Sequence, residues 1–240
     1  MKTIEILKKV EFTYPKDDKY IYCIPGGIDI FSHKTYSILG LSGSGKSTIL
    51  TLLAALRRFR AGTIQYTLTT KNAYRTIKVT QACWKKMVGP RFWGSIGFSF
   101  QNPELIEALT VKENLEVALG KAKLEKMALA VFENKEWDDI KDSRVWKLSG
   151  GQKQRLGIIR SFGAKQTVVF MDEPTNNLDK SSRRKVVEFI LKYQKDKSVI
   201  VVSHDQAFMD MLNIDTTFEV REEGQLHGRS QRILLSINDE

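Results

Sequence analysis

The chain has 240 residues, 42% of them hydrophobic and 28% charged, the balance of a soluble globular protein rather than a disordered or fibrous one. Its net charge of +10 is carried without any apolar run near the roughly 20 residues that a membrane-spanning helix needs. The opening Met1–Val10 breaks its apolar residues with charges and so lacks a secretory core, and Cys23 and Cys83 show no metal-type spacing; a cytoplasmic protein with reduced thiols is expected.

In chain order, Ile4–Phe12 alternates loosely and reads as a strand, followed by a turn at Thr13–Asp18 and short strands at Tyr20–Cys23 and Ile28–Phe31. Tyr36–Leu39 is a further strand. It runs into Gly40-Leu41-Ser42-Gly43-Ser44-Gly45-Lys46-Ser47-Thr48 and then into the apolar stretch Ile49–Leu56, predicted helical to about Arg57-Arg58. The spacing G-x-x-x-x-G-K-S between a strand and a helix is the P-loop pattern. Gly43 and Gly45 let successive backbone N–H groups turn inward around a β- or γ-phosphate at a positive helix end, Lys46 adds a mobile charge, and Ser47 offers a hydroxyl to Mg²⁺. A nucleotide phosphate is therefore expected on residues 40–48.

Thr63–Thr69 and Tyr74–Val79 read as a hairpin joined by polar Thr70-Lys71-Asn72, residues 81–95 show no clear pattern, and Ile96–Phe100 is a strand ending at Gln101. Residues 61–101 carry Lys71, Arg75, Lys78, Lys85, Lys86 and Arg91 without an acid, interleaved with Tyr66, Tyr74, Trp84, Phe92 and Trp93. Such a run suits nucleic acid or anionic headgroups, and equally a solvated basic face over core aromatics or one turned to an acidic protein or the cytoplasmic leaflet; the second reading is preferred and no nucleic acid is expected. From 102 to 147 the pattern turns helical, with a capping box at Thr110–Glu113, and reads as an inserted helical subdomain. Thr167–Met171 and Ser198–Val202 are continuous apolar strands flanking the amphipathic helix Lys180–Tyr193, a parallel βαβ unit covered on both faces. Two or three short strands are expected beyond Thr217. The fold class that results is α/β: a P-loop core with a parallel sheet, an antiparallel β subdomain and an inserted helical subdomain. A single domain is expected over 1–240, with 1–101 and 148–240 as core and 102–147 as the helical insert.

Two further patterns accompany the loop. Val168–Met171 ends in Asp172-Glu173-Pro174, which places Asp172 at the carboxyl edge of the sheet, where it can hold Mg²⁺, and Glu173 closer to the γ-phosphate, where a carboxylate can orient and deprotonate water. Acids at strand ends are also common solvated caps. The second is Leu148-Ser149-Gly150-Gly151-Gln152, a capping box opening a helix whose two glycines also let a phosphate approach its positive end.

Taken together these motifs resemble the nucleotide-binding subunit of ATP-binding-cassette (ABC) transporters over essentially the whole chain. The resemblance implies ATP and Mg²⁺ as ligands, and implies that Ser149, Gly150, Gly151 and Gln152 complete the ATP site of a second ATPase subunit, most simply in a homodimer. It implies further roles for Gln101, similar to the glutamine that touches Mg²⁺ and water; for His204, similar to the switch histidine on the γ-phosphate; for Asp179, similar to the dimer-contact aspartate and also a good helix N-cap; and for Tyr14, similar to the aromatic that stacks on adenine, with Phe12 and Tyr20 nearby. Catalysis would then fall to Lys46, Gln101, Glu173 and His204, and the metal to Ser47, Gln101 and Asp172. Leu41 stands where the family often has proline, and Arg160-Ser161-Phe162 where arginine-alanine-leucine is usual. The residues around Gln101 and Asp172–Thr175 look most like the lipoprotein-release and macrolide-efflux type. The implied partner is a separate transmembrane permease, with the ATPase peripheral on the cytoplasmic face of the membrane; the alternative is a soluble ABC ATPase in DNA repair, translation or cluster assembly.

Overall fold

The computed structural model describes residues 1–17, 19–69, 73–163 and 165–237, with Thr69 and Arg91 described by their backbone only. The chain opens with β1 (Lys2–Phe12), β2 (Tyr20–Ile24), β3 (Asp29–Phe31) and β4 (Thr35–Leu39), followed by α1 (Lys46–Leu53). Helix α1 stops short of the arginines because Ala55 takes φ 53° and turns the chain inward, where Ala54, Ala55 and Phe59 are buried. The hairpin β5 (Ala61–Thr69) and β6 (Tyr74–Thr80) comes next; its expected polar connection 70–72, and Asp18 of the earlier turn, lie outside the described residues. The stretch without a sequence pattern folds as two one-turn helices, α2 (Trp84–Met87) and α3 (Pro90–Trp93), before β7 (Ile96–Ser99). Of the aromatics in the basic run, Tyr66 and Phe92 are buried in the core and Trp84 and Trp93 pack against it, whereas Tyr74 is 65% exposed.

Helices α4 (Val111–Leu119), α5 (Lys121–Ala128) and α6 (Asn134–Ile140) lead through a 3-10 turn at Val145–Lys147 into α7 (Gly150–Ser161). Then follow β8 (Val168–Asp172), α8 (Lys180–Tyr193), β9 (Ser198–Val202), α9 (Gln206–Met211) and the closing hairpin β10 (Thr216–Leu226) and β11 (Arg229–Ile237). The expected two or three short strands are thus two long ones, paired from Thr217↔Ile237 to Leu226↔Arg229.

Among the described residues the strands form one continuous eleven-stranded sheet in the order β6-β5-β1-β2-β11-β10-β4-β9-β8-β7, with β3 paired to β1. β4, β9, β8 and β7 pair in parallel, β10 joins β4 in parallel, and the antiparallel pairs β1–β2, β1–β5 and β5–β6 occupy the other half. Alternation along β8 divides the core: Val168 and Phe170 pack with Ile49, Leu50 and the antiparallel half, while Val169 and Met171 pack with Leu156, Ile158, Phe189 and Ile190 from α7 and α8. All five residues of β8 and of β9 are buried, which explains their unbroken apolar sequences. Parallel pairing has one decisive consequence. The carboxyl ends of β4, β9, β8 and β7 meet at one edge, so the residues that follow them meet there too.

Candidate functional site

Residues 40–45 leave β4 at that edge and close into the N-terminus of α1. Gly45 is the N-cap at φ 98°, and a Cβ there would lie 2.3 Å from the Tyr22 ring, so conformation and space both demand glycine. The Lys46 ammonium is folded back on its own loop, donating to the Gly40 and Leu41 carbonyls at 2.9 Å each. The residue is only 6% exposed, and burial lowers its pKa against the pull of Glu173 and Asp172. The Ser44 hydroxyl is buried without a hydrogen-bond partner among the described residues. A buried ammonium satisfied only by neutral carbonyls, beside an orphaned hydroxyl at a helix N-terminus, fits an incoming phosphate.

Ser47 Oγ donates to Asp172 Oδ1 at 2.9 Å, joining the loop after β4 to the end of β8 across 125 residues. Burial raises the Asp172 pKa, with Glu173 adding to the effect and the Ser47 bond and Lys46 opposing it. A hydroxyl and a carboxylate at this spacing, hard oxygen donors beside the phosphate position, suit Mg²⁺. Glu173 is 9% exposed and held at φ 47°, its N–H bonded to the Val202 carbonyl of β9 at 2.8 Å. Its carboxylate accepts the His204 backbone N–H at 3.1 Å and lies 3.6 Å from His204 Nε2. A non-glycine residue in left-handed conformation at a strand end is a strained arrangement of the kind that positions reactive groups. His204 is half exposed, and Gln101 is exposed beyond the end of β7. The segment after Gln101 is anchored by Asn114, fully buried, whose side chain bonds both the N–H and the C=O of Ile106.

Tyr14 is half-buried rather than free at the rim. Its hydroxyl shares a hydrogen bond with Thr48 Oγ1 at 2.9 Å, Phe12 and Tyr22 meet it edge-on, and the Arg57 guanidinium lies 4.9 Å from its ring centre.

Ser149, Gly150, Gly151 and Gln152 lie elsewhere. Ser149 Oγ accepts from Gln152 N–H at 3.2 Å, and Gln152 Oε1 accepts from Ser149 N–H at 3.0 Å, a complete capping box at the start of α7. Gln152 also reaches Glu136, which Arg155 holds in an ion pair at 2.5 Å. Gly151 is needed for contact, since a Cβ there would meet the Asn177 carbonyl at 2.9 Å. Asp179, at the other end of that loop, caps α8 by accepting from Ser182 N–H at 2.8 Å, and this bond leads the interactions that lower its pKa to about 2. The chain therefore carries two groups of candidate residues, linked through the segment after Glu173, where Asn176 N–H bonds the Glu173 carbonyl at 3.3 Å. Gly40–Thr48, Asp172, Glu173 and His204 are joined by hydrogen bonds at the sheet edge, while Ser149, Gly150, Asn177 and Asp179 are exposed, with Gly151 and Gln152 partly so and Leu178 buried beneath them.

One contact had no signal in the sequence. Arg232 of β11 donates to the Gly43 carbonyl at 2.6 Å, with its guanidinium stacked 3.5 Å from the centre of Tyr20. It ties the apex of the loop to β11. Position 232 carries no motif; only the parallel pairing of β11 with β2, Arg232↔Tyr22, brings it there.

The sequence matches the ABC transporter family model over residues 27–176. The phosphate import ATP-binding protein PstB of Mycoplasmoides gallisepticum is 29% identical over 226 residues, 89% of this chain and 66% of that protein. The uncharacterized ABC transporter ATP-binding protein MJ0796 of Methanocaldococcus jannaschii is 30% identical, covering 83% of this chain and 86% of that one. The macrolide export ATP-binding/permease protein MacB of Escherichia coli is 31% identical over 83% of this chain, which spans only 30% of that longer protein. The solved dimeric structure of the MJ0796 cassette in a post-hydrolysis state with ADP and phosphate superposes with a TM-score of 0.65 at 23% identity, over 95% of this chain and 96% of that one, a likeness of fold. The P-loop edge, the parallel sheet and the family match converge: the chain belongs to the ABC transporter family and has the P-loop NTPase fold.

Proposed function

We propose that this chain is the ATP-hydrolysing subunit of an ABC transporter, working as a dimer that encloses two Mg-ATP and drives a separate transmembrane permease from the cytoplasmic face of the membrane. The observation that carries the reading is the hydrogen-bonded edge at which Lys46, Ser47, Asp172, Glu173 and His204 meet. Lys46, released from the Gly40 and Leu41 carbonyls, binds the β- and γ-phosphates together with the loop amides. Ser47 and Asp172, with Gln101, hold Mg²⁺, which supplies charge neutralisation on the phosphate oxygens. Glu173 orients and deprotonates the attacking water, and His204 contacts the γ-phosphate, its backbone fixing the Glu173 carboxylate. The exposed Ser149–Gln152 edge and the Asp179 loop cover the ATP of the second chain, and Tyr14 supports the adenine side of the site through Thr48. Residues 102–147 act as the helical subdomain that couples Gln101 to the permease. The likeness to MacB, a macrolide export protein, supports a permease of the macrolide-efflux kind.

Glu173→Gln preserves an acceptor for His204 N–H but removes the base, so hydrolysis should fall by about 10²–10⁴ while ATP binding persists and a nucleotide-locked dimer accumulates. Lys46→Ala should lose ATP binding. Normal turnover in Glu173→Gln sinks the assignment. Copurification with a multi-span membrane protein supports transport; ribosome- or DNA-stimulated hydrolysis without membrane association replaces it with the soluble reading.

A further inference from the structure

Away from the P-loop, beneath the amino ends of the parallel strands, lies a cavity of about 260 Å³. Three elements wall it. Lys123, Lys126 and Met127 come from α5, Phe162 and Gly163 from the end of α7, and Lys192, Tyr193, Asp196 and Lys197 from the end of α8 and the approach to β9. Four lysines thus line a small space whose one carboxylate among the described residues, that of Asp196, is 78% exposed and stands 3.9 Å from Lys197, at the outer limit of an ion pair.

Two of these groups have unmet needs. Lys197 is 6% exposed, and its ammonium donates to a single backbone carbonyl, that of Gln166, at 2.9 Å. Burial lowers its pKa, and the charge of Lys123 lowers it further against the partial relief given by Asp196. The Tyr193 hydroxyl is buried with no hydrogen-bond partner among the described residues. A buried cation held by one neutral carbonyl and a carboxylate at the limit of ion pairing is costly, as is a phenol without a partner, and both are satisfied by an anion that accepts hydrogen bonds.

Ordinary helix chemistry explains part of the cluster. Lys126 and Lys192 lie in the last turns of α5 and α8, where cations favour the carbonyl ends of helices. That account leaves Lys123, the burial of Lys197 and the open phenol unexplained, and it gives no reason for two helices from different parts of the chain to bring their lysines to one cavity.

We propose that this cavity binds a small phosphate-bearing anion, taken by Lys123, Lys126, Lys192 and Lys197 with a hydrogen bond from Tyr193. The cavity lies just under the roughly 300–1,000 Å³ of drug-sized ligand pockets, so a compact ligand such as a diphosphate fits better than a nucleotide. Bound there, the anion ties α5 to the core at α8 and β9. The inference stands on the cavity alone and does not depend on the ATPase reading.

Fluorine NMR of the protein labelled with 3-fluorotyrosine tests it, because Tyr193 is one of seven tyrosines and Tyr193→Phe identifies its signal. Inorganic pyrophosphate, titrated at constant ionic strength, should move the Tyr193 signal saturably. The Lys123→Ala, Lys126→Ala, Lys192→Ala triple variant, altered only at exposed positions, should raise the half-saturation point at least tenfold while its other signals show an intact fold. A parallel titration with phosphatidylcholine vesicles with and without phosphatidic acid separates the sources: movement with pyrophosphate assigns a free anion, movement with the phosphatidic acid vesicles alone a lipid headgroup. A Tyr193 signal that moves with neither, including the case where only Tyr14, Tyr20 and Tyr22 near the P-loop respond, overturns the proposal, as does an unchanged curve in the triple variant.

Discussion

Ser149 serves two masters in the proposed mechanism, and a pair of substitutions separates them. Within the chain its hydroxyl caps α7 by accepting from Gln152 N–H at 3.2 Å; across the dimer it would donate to a γ-phosphate. Ser149→Ala removes both functions. Losing the cap should cost about 1 kcal/mol, lowering the melting temperature by roughly 2–4 °C for a chain of this size, and hydrolysis should fall. Ser149→Asp keeps a good N-cap and adds a negative charge at a positive helix end, so stability should match or exceed the parent by about 0.3–1 kcal/mol. The same carboxylate about 4 Å from a phosphate oxygen is repelled by about 4 kcal/mol at an effective dielectric near 20, roughly a thousandfold in affinity or rate. Thermal melting reads the cap, and phosphate release at saturating Mg-ATP reads the second function. Ser149→Asp should therefore melt like the parent and hydrolyse almost nothing. If it turns over at the parent rate, no phosphate faces Ser149, and the shared-site reasoning fails; if it melts like Ser149→Ala, the capping argument fails instead.

Arg232→Ala releases the Gly43 carbonyl and the stack on Tyr20; a hydrogen bond to a charged donor contributes about 1.5–3 kcal/mol, so ATP affinity measured by fluorescent-nucleotide titration should drop about tenfold or more, and an unchanged affinity would show that the loop needs no support from β11. Burial raises the Asp172 pKa above that of the unfolded chain, so its protonated form is favoured by folding. That stabilisation is present at acid pH and is lost as pH rises through the folded value, so Asp172→Asn should be more stable than the parent at neutral pH and should lose this pH dependence in urea titrations. By the same sign, protons compete with Mg²⁺ at a higher pH than for an ordinary carboxylate, and the Mg²⁺ requirement for hydrolysis should rise as pH falls through that value; a requirement flat with pH would remove Asp172 from the metal.

What could be read in the sequence was whatever local geometry decides. The capping boxes at Thr110–Glu113 and Ser149–Gln152 and the cap at Asp179 are contacts between residues three apart, set by the helix itself, and each is formed. Fully buried β8 and β9 announced themselves as unbroken apolar runs for the same local reason. The end of α1 did not, because Ala54 and Ala55 favour helix by propensity and leave it only to bury themselves with Phe59. Residues 81–95 hid two one-turn helices too short to show a period.

The loop, the acidic strand end and the signature pentapeptide were thus written in the chain, and with them the family. Their arrangement was not. Ser47 meets Asp172 across 125 residues because β4, β9 and β8 run parallel and end at one edge; Glu173 takes its left-handed conformation because the Val202 carbonyl of β9 holds its N–H. Arg232 reaches Gly43 only through the pairing of β11 with β2. Sequence determines which groups a short segment can offer, since turns, caps and strand periods are local. Which of those groups share a site depends on strand order and direction, and those follow from how the whole core closes.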